Sequence, residues 1–286
     1  MEAHLPYDIV TAETMTSAAD LARYDLLVLP GTDQVSDAFC EVVRQYVGHG
    51  GRVLATAGTS LGDGRGGKRG DFALADVLGV SWRGAFSGPF ALERPEEPQP
   101  AAGVLQEVDA AGQVLVRRVA LDPAGSVAGV QDPLPLAVTA QPVVVAHTCG
   151  RGQSVYIAFD IGRQAALHGE EHVEDLMVEA VDRLLPRRQL MARGPRTVEL
   201  TLWRQPALGR TIVHLANRSV AHTLPTDQRQ IREVLPVHNF EVALDAPGPH
   251  PRVSCRGAAV EWHLDAERLV VMVRRLEAYA AIVIEG

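Results

Sequence analysis

The alternation of apolar and polar positions divides the chain into two parts with different periods. Up to about residue 190, short apolar runs alternate with stretches of helical spacing, as in an α/β sheet protein. After residue 196 the period becomes two, and turns rich in Pro, Gly, Asn and Asp separate the runs. The sequence therefore predicts an α/β domain over residues 1–190 and a small antiparallel β-sandwich domain over residues 196–286.

The α/β part is organised around one β-α-β unit. Leu26 to Leu29 is an apolar run, helical spacing follows from Asp33, and Val53 to Ala55 is the second run. A strand that is apolar on both faces is typical of the centre of a parallel sheet, so the first run is predicted to be a central strand. Since His4 to Val10 offers only one short strand as a neighbour, we expect a further strand and helix ahead of the given sequence.

The rest of the α/β part is predicted from short local patterns. A hairpin is expected where two apolar runs flank the turn Asp109 to Gly112, and Pro186 is expected to end the last helix. The elements predicted in chain order are a helix at Asp71 to Leu78 closed by Gly79, strands at Val80 to Trp82, Val104 to Val108, Gln113 to Val119, Val143 to Ala146 and Gln153 to Phe159, and a helix at Glu170 to Leu185.

The second part follows a predicted linker, Pro186 to Pro195, and contains no helix of useful length. Its aromatic residues Trp203, Trp262 and Tyr279 lie in predicted strands and could form a carbohydrate-stacking platform; packing or isolated surface positions are the more common reason for such residues. The predicted strands are Thr197 to Trp203, Arg210 to Leu215, Phe240 to Leu244, Ala259 to Leu264, Leu269 to Val273 and Ala278 to Ile284.

Composition narrows the classes of partner. The chain has 35 acidic and 27 basic residues, which argues against a nucleic-acid partner. No run is long enough to span a membrane and no signal peptide is recognisable, so a cytoplasmic protein is predicted. Cys40, Cys149 and Cys255 are odd in number and far apart, which suggests reduced thiols rather than a disulfide framework or a zinc site. No cofactor is expected.

A candidate nucleophile lies just after the second strand of the unit. Gly58 to Gly62 has the spacing Gly-x-Ser-x-Gly of a nucleophile elbow, with Ser60 at its centre. An elbow turns directly into a helix, whereas a glycine-rich stretch up to Gly70 follows here, and no histidine follows the later strand Gln153 to Phe159 directly. We therefore expect Ser60 to be a turn residue, with a hydrolase or amidotransferase-like enzyme using Ser60 as the alternative.

Three further patterns have both a chemical and a structural interpretation. Gly62 to Lys68 fits the spacing of a phosphate-binding loop but lacks the following Ser or Thr, which favours a mobile glycine-rich loop. His168 and His172 could share a helix face as metal ligands, although Gly169 between them favours a helix cap. Cys149, two residues after His147, is interpreted as a buried structural thiol because the i, i+2 spacing does not suit a nucleophile-base pair.

The order of these pieces resembles a known module. The strand Y-D-L-L-V-L-P-G, a helix, Y-V-G-H-G-G-R-V-L-A-T, the glycine-rich loop, L-A-D-V-L-G-V and G-R-G-Q-S-V-Y-I-A-F-D-I-G-R are similar to the β-galactosidase trimerisation domain of family 42 glycoside hydrolases. Downstream, T-V-E-L-T-L-W-R-Q and T-I-V-H-L-A-N-R-S resemble the small β domain that follows it in those enzymes. The resemblance covers nearly the whole chain.

The resemblance implies a flavodoxin-like parallel sheet of the class I glutamine-amidotransferase type. In the family, the two catalytic glutamates lie on a barrel that precedes this module, and no position here corresponds to them. The amidotransferase cysteine and His-x-Glu would fall near Ser60 and at 160–162, and neither matches. We therefore expect a non-catalytic oligomerisation module, most simply a trimer, working with a glycosidase barrel encoded on the same or a separate chain; a carbohydrate-binding module is a further alternative.

Overall fold

A computed structural model describes residues 4–122, 134–168, 171–219 and 234–286, with the backbone alone at 122, 134–136 and 168. The chain forms two compact units. The first consists of Val10–Pro186, and the second joins Arg187–Gly286 with the described residues up to Ile9. No described helix is long and apolar enough to cross a membrane.

The first unit contains five described helices and nine described strands. The helices are α1 (Ala18–Leu21), α2 (Asp37–Gly48), α3 (Ala75–Leu78), α4 (Ile161–His168) and α5 (Glu171–Leu184). The strands are β1 (Leu27–Leu29), β2 (Arg52–Thr56), β3 (Val80–Ser87), β4 (Phe90–Leu92), β5 (Gln99–Ala101), β6 (Val104–Ala110), β7 (Gln113–Asp122), β8 (Leu134–Cys149) and β9 (Gly152–Ile157).

Seven of these strands form one mixed sheet in the order β1-β2-β9-β8-β7-β4-β5. Only β1, β2 and β9 run parallel, and every other neighbouring pair is antiparallel. The predicted β-α-β unit is confirmed, but the sheet as a whole is mixed and mostly antiparallel, so the predicted parallel sheet is present only in this part. The tight turn Cys149 to Gly152 explains the change of direction, because so short a connection joins only antiparallel strands.

The prediction of a central strand at Leu26 to Leu29 is wrong for the described chain. Strand β1 pairs with β2 on one side, and no described strand pairs with its other side. Leu27 and Leu29 are buried and Val28 is half-buried, which agrees with the apolar run. An apolar run reports that the two faces of a strand are covered; it carries no information on whether both backbone edges are hydrogen-bonded.

Helix α2 has the sequence signals expected at its N-terminus. Ser36 is the N-cap residue, and its side chain accepts a hydrogen bond from the backbone N–H of Phe39. Asp37 in the first turn complements the helix dipole. The buried face contains Phe39, Cys40, Val42, Val43, Tyr46 and Val47. This face packs the helix against the sheet, as the periodicity predicts.

The predicted hairpin between the strands flanking Asp109 to Gly112 is not formed. Strand β6 pairs with β3, and β7 pairs with β4 and β8. The connection is instead held by the carbonyl of Gly79, which accepts hydrogen bonds from the backbone N–H groups of Ala111 and Gly112. This contact lies more than thirty positions away along the chain, so the local pattern could not reveal it.

The second unit is a β-sandwich, as the period of two predicts. The strands are β10 (Leu190–Arg193), β11 (Val198–Gln205), β12 (Arg210–Asn217), β13 (Val237–Asp245), β14 (Arg252–Arg256), β15 (Val260–Asp265), β16 (Arg268–Leu276) and β17 (Tyr279–Glu285). One sheet has the order β10-β13-β16-β15 and the other β11-β12-β17-β14. Their inner faces share one apolar core that includes Phe240, Val271 and Ile282.

The N-terminal segment packs on this sandwich and forms no strand among residues 4–10. His4 is 8% exposed, and its Nδ1 donates a hydrogen bond of 2.9 Å to the carbonyl oxygen of Val198. The imidazole also meets the ring of Phe240 edge-on, with 5.4 Å between ring centroids. Burial and this contact make His4 the anchor of the segment.

The His4 anchor predicts a pH dependence of stability. Burial lowers the pKa of His4 below its ordinary value of 6.5. At pH values between the folded and unfolded pKa of His4, the unfolded chain binds more protons at this residue than the folded chain does. The contribution of His4 to stability is therefore complete above about pH 6.5 and declines as the pH falls. Asn tolerates the positive φ of His4, and His4→Asn removes the titrating group.

We expect the difference in free energy of unfolding between the natural chain and the His4→Asn variant to narrow as the pH is lowered from about 8 to about 5. Urea unfolding at matched pH values measures this difference. A difference that is constant or grows toward low pH contradicts the assignment of His4 as a buried neutral anchor.

Candidate functional site

The carboxyl ends of the parallel strands are the expected ligand site of an α/β sheet. Here the end of β2 is occupied by the chain itself. The loop after it is bound to the connection between β1 and α2, with the N–H groups of Ser60 and Gly62 donating to the carbonyls of Thr32 and Asp33. The Arg69 side chain adds hydrogen bonds to Gly62 and Val35. The loop therefore covers this end of the sheet.

Ser60 is fully buried at the base of this loop. Its Oγ accepts a hydrogen bond of 3.2 Å from the backbone N–H of Leu74, and its carbonyl accepts one from Ala73. No hydrogen bond joins Ser60 Oγ to a histidine in the described part of the chain. With φ of +66°, Ser60 occupies a turn conformation. The geometry gives its hydroxyl a structural role that locks the segment before α3.

The position that follows β2 directly is Ala57, which has a positive φ of 51° as the nucleophile of an elbow has. A methyl group cannot act as a nucleophile. The Ala57 carbonyl oxygen accepts a hydrogen bond of 2.7 Å from the hydroxyl of Tyr156, a fully buried side chain on β9. Burial raises the pKa of Tyr156 well above its ordinary value, so the phenol stays protonated and donates to the carbonyl.

The backbone amides of the glycine-rich loop already donate hydrogen bonds to side chains of this protein. The N–H groups of Gly64 and Gly66 donate to Gln34 Oε1. Asp63 Oδ1 likewise accepts from the N–H groups of residues 65 and 67. A phosphate would need these donors, and side-chain oxygens already occupy them.

The lysine of the phosphate-loop spacing is also engaged elsewhere. Lys68 Nζ lies 4.0 Å from the centroid of the Trp82 ring, in a cation–π contact. The indole N–H of Trp82 donates to Gln106 Oε1 at 3.0 Å. Both groups therefore hold the loop against β3 and β6 rather than face an open phosphate pocket.

The two candidate metal ligands lie on different helices. His168 is the last residue of α4 and His172 is the second residue of α5. His172 Nε2 donates a hydrogen bond of 2.7 Å to the carbonyl oxygen of Pro100, which holds the edge strand β5. Among the described residues, no three His, Cys, Asp or Glu side chains form a group that could hold a metal ion. His147 and Cys149 lie on β8, and all three cysteines are free. Cys149 is half-buried rather than buried, because it is the last residue of its strand, at the turn into β9.

The larger of two clefts described here lies at the opposite end of β9 from these loops. It has a volume of about 510 Å³ and is lined by residues that include Gln113, His147, Gln153 and Arg183. Arg183 donates a hydrogen bond of 2.9 Å to Gln113 Oε1 across it. Neither Ser60 nor His172 contributes to its lining, so the candidate residues and the cleft do not form one site.

The aromatic residues of the sandwich lie on different surfaces. Trp203 is on β11 opposite Ile212, on the outer face of its sheet, and is 58% exposed. Trp262 is on the edge strand β15 opposite the fully buried Val271, so it belongs to the core-facing side of the other sheet. Tyr279 shares the outer face with Trp203. The structure thus brings Trp203 and Tyr279 to one surface and leaves Trp262 outside it.

The sequence pattern did not indicate a binding role for His214, which also lies on this outer face. His214 Nδ1 lies 2.5 Å from the hydroxyl of Tyr279, and the two rings stack with an interplanar angle of 28°. The period of two places both residues on outward positions of their strands. Their proximity depends on the pairing of β12 with β17, sixty-five positions apart, which the pattern alone does not specify.

The family model of the β-galactosidase trimerisation domain matches residues 1–183. The chain belongs to this family. The match ends within α5, so the sandwich lies beyond the matched part of the trimerisation domain. No curated protein matches the sequence at a significant level.

Solved structures extend the similarity in fold to the whole chain. α-L-Fucosidase isoenzyme 2 from Paenibacillus thiaminolyticus aligns over 100% of this chain with 23% identity and a TM-score of 0.76. The β-galactosidase from Bacillus circulans sp. alkalophilus aligns over 100% with 16% identity and a TM-score of 0.62. Gan42B, a GH42 β-galactosidase from G. stearothermophilus, aligns over 99% with 16% identity and a TM-score of 0.62.

The trimerisation domain and its sandwich span only part of these longer proteins. The alignment covers 43% of the fucosidase, 36% of the B. circulans enzyme and 34% of Gan42B. The shared region therefore makes up less than half of each of these longer chains. At these identities the alignments establish the fold of the two units, and the trimerisation domain is established by the family match.

Proposed function

We propose that this chain assembles copies of a β-galactosidase-like glycoside hydrolase into a trimer and carries no catalytic residues for the hydrolysis itself. The family match over residues 1–183 is the observation that carries the proposal. The buried Ser60, with an amide as its hydrogen-bond partner, supports the non-catalytic part. The catalytic partner would be a glycosidase barrel, on the same polypeptide or on a separate one.

The α/β unit is proposed to make the contacts between copies. Strand β1 leaves one backbone edge unpaired among the described residues, and exposed edges recruit further chains. We regard the parallel strands β1, β2 and β9 with α2 as the flavodoxin-like, glutamine-amidotransferase-like core of this unit. Closed cyclic symmetry would use the same two surfaces in every copy. Three free thiols suit a reducing compartment, which supports a cytoplasmic location.

Light scattering coupled to size-exclusion chromatography tests the assembly. We expect a mass three times that of the 30.8 kDa chain, maintained over a tenfold dilution. Hydrogen exchange should show added protection in the α/β unit of the trimer relative to dissociated chains. A monodisperse monomer at the highest concentration would refute the assembly role, and added protection confined to residues 187–286 would refute the placement of the interface.

The same preparation tests the enzyme alternative. We expect no turnover of chromogenic β-galactosides. We also expect no labelling by a fluorophosphonate probe, because the Ser60 hydroxyl is buried. The informative control is Thr59→Ala, which leaves Ser60 in place. Labelling that is lost in Ser60→Ala and retained in Thr59→Ala would establish a serine hydrolase instead.

A further inference from the structure

The outer face of the sheet β11-β12-β17-β14 departs from the usual pattern of a solvated sheet face. Such faces are typically polar. Here Trp203, Ile212 and Val283 stand side by side across three neighbouring strands. Trp203 is 58% exposed and Tyr279 is 49% exposed. Ile212 and Val283 are half-buried, so the exposed apolar surface of this face is concentrated in Trp203 and Tyr279, and exposed aromatic side chains next to an apolar row indicate a candidate binding surface.

Three ring side chains on this face follow one diagonal, which we name the aromatic strip: Trp203, His214 and Tyr279. Trp203 on β11 pairs with Ile212 on β12, and His214 lies two residues after Ile212 on β12. Tyr279 on β17 pairs with Ala216, which lies two residues after His214. At about 4.8 Å between strands and about 3.4 Å per residue, the strip is about 17 Å long from end to end. The three rings thus form a line rather than a cluster.

Within the strip, Trp203 is exposed, whereas His214 and Tyr279 each have one ring face against the other. The hydrogen bond and the stacking with His214 fix the ring of Tyr279. Of the nearby arginines, Arg204 is hydrogen-bonded to Gln189 and Arg210 to Gln205, while Arg256, opposite Ala281 on β14, is exposed. No cation–π contact covers Trp203 in the described part of the chain, in contrast with Trp82, which lies under Lys68.

The polar groups along the strip suit hydroxyl groups. The indole N–H of Trp203 donates to no described residue, so it is a donor at the exposed end. When Tyr279 donates to His214 Nδ1, the imidazole carries its proton on Nε2, a second donor between the rings. Small side chains, Thr201, Ala216 and Ala281, flank the diagonal and leave space beside the rings.

The charge pattern indicates a neutral ligand. The strip contains no carboxylate, ammonium or guanidinium group. Glu199, at one side of the face, is already paired with Arg218. Arg256, opposite Ala281, is at the other side of the face, and no charged side chain stands between the rings of the strip. Apolar ring faces bordered by hydrogen-bond donors match the alternating C–H faces and hydroxyl edges of a sugar chain.

We propose that the aromatic strip is a binding site for a neutral, linear oligosaccharide, with Trp203 and Tyr279 stacking on sugar rings near its two ends. The strip is about 17 Å long by strand spacing, so three spacings of about 5 Å between successive sugar units fit between its two ends and about four units contact it. The site lies on the sandwich and is independent of the assembly role proposed for the α/β unit. Trp262 has no part in it.

Binding of neutral oligosaccharides to the full chain tests the site. Gluco-, galacto-, manno- and xylo-oligosaccharides of one to six units are titrated by isothermal calorimetry and tryptophan fluorescence. We expect saturable binding to at least one series, with affinity that rises up to about four units and then levels off, because the strip has this length. No saturable binding to any series at millimolar concentration would overturn the proposal.

Substitutions locate the site. We expect Trp203→Ala and Tyr279→Ala each to weaken binding about tenfold, since stacking on an aromatic ring is lost. Trp262→Ala is the matched control and should change affinity less than about twofold, because its ring faces the other way on the other sheet. Equal losses in Trp262→Ala and Trp203→Ala would place the site elsewhere and refute the strip.

A final measurement separates sugar binding from a protein interface. Acrylamide quenching of tryptophan fluorescence is compared between the natural chain and Trp203→Ala. Each is measured at protein concentrations above and below the concentration at which any assembly dissociates. We expect Trp203 to stay accessible in the assembled state. Protection of Trp203 on assembly would show that another protein surface covers the strip and would overturn the sugar site, whether or not the assembly is a trimer.

Discussion

Replacement of Gly152 by alanine is expected to destabilise the α/β unit by about 3 kcal/mol or more. Gly152 opens β9, which lies between β2 and β8 in the sheet. A Cβ at this position would overlap the backbone carbonyl oxygens of Val47 and Gly51 and lie 2.8 Å from Val47 Cγ1. Backbone atoms of a helix end and of the connection leading into β2 cannot move aside as a flexible side chain can, so the sheet or α2 must shift.

Urea unfolding monitored by circular dichroism measures the loss, and Gly48→Ala is the matched control. Gly48 is the last residue of α2, and a Cβ there meets no atom within 4 Å. Alanine is a better helix former than glycine by about 1 kcal/mol, so this variant should be slightly more stable than the natural chain. A loss below about 1 kcal/mol in Gly152→Ala would show that the close approach is relieved without cost.

The second large effect is expected in the sandwich. Phe240→Ala should reduce the stability of this unit by about 3–5 kcal/mol, because it removes a fully buried ring from the shared core. The same ring meets the imidazole of His4 edge-on and lies against the Cα of Gly194. Its loss therefore leaves a cavity and also removes the packing partner of the N-terminal segment.

Leu208→Ala provides the comparison for Phe240→Ala. Leu208 is an apolar residue of the same unit but is 61% exposed, so its truncation should change stability by less than about 0.5 kcal/mol. Thermal unfolding followed by calorimetry measures both variants. Similar losses in the two variants would mean that the apolar core around Phe240 does not dominate the stability of the sandwich.

The sandwich strands were predictable because each buries one face, and the alternation records that burial directly. All six predicted strands after residue 196 are present. Two further strands were missed. Strand β10 (Leu190–Arg193) lies in the predicted linker, where only Leu190 is fully buried, and β14 (Arg252–Arg256) alternates between exposed and half-buried positions. Both are edge strands, and with little buried surface they carry a weak pattern.

At the candidate sites, too, the local spacing was visible in the sequence but the contacts between distant residues were not. The spacing around Ser60 and Lys68 fits catalytic motifs, yet neither spacing contains the contacts that decide the chemistry. Leu74 binds the hydroxyl of Ser60, Trp82 holds Lys68, and Gln34 occupies the amides of the glycine-rich loop. These partners come from up to about thirty positions away, so only the folded chain reveals that the motifs are structural.

The sequence by itself determined which segments are apolar on one or two faces, where helices α2 and α5 lie, that a β-sandwich follows, and which family the order of pieces resembles. These are local properties, recorded in the period of the side chains along the chain. Only the tertiary structure decided that β1 is an edge, that β6 pairs with β3, and that Trp203, His214 and Tyr279 form one line. The reason is physical: hydrogen bonding between strand edges and the register of pairing involve backbone groups that every residue carries, so they leave no mark in the side-chain pattern.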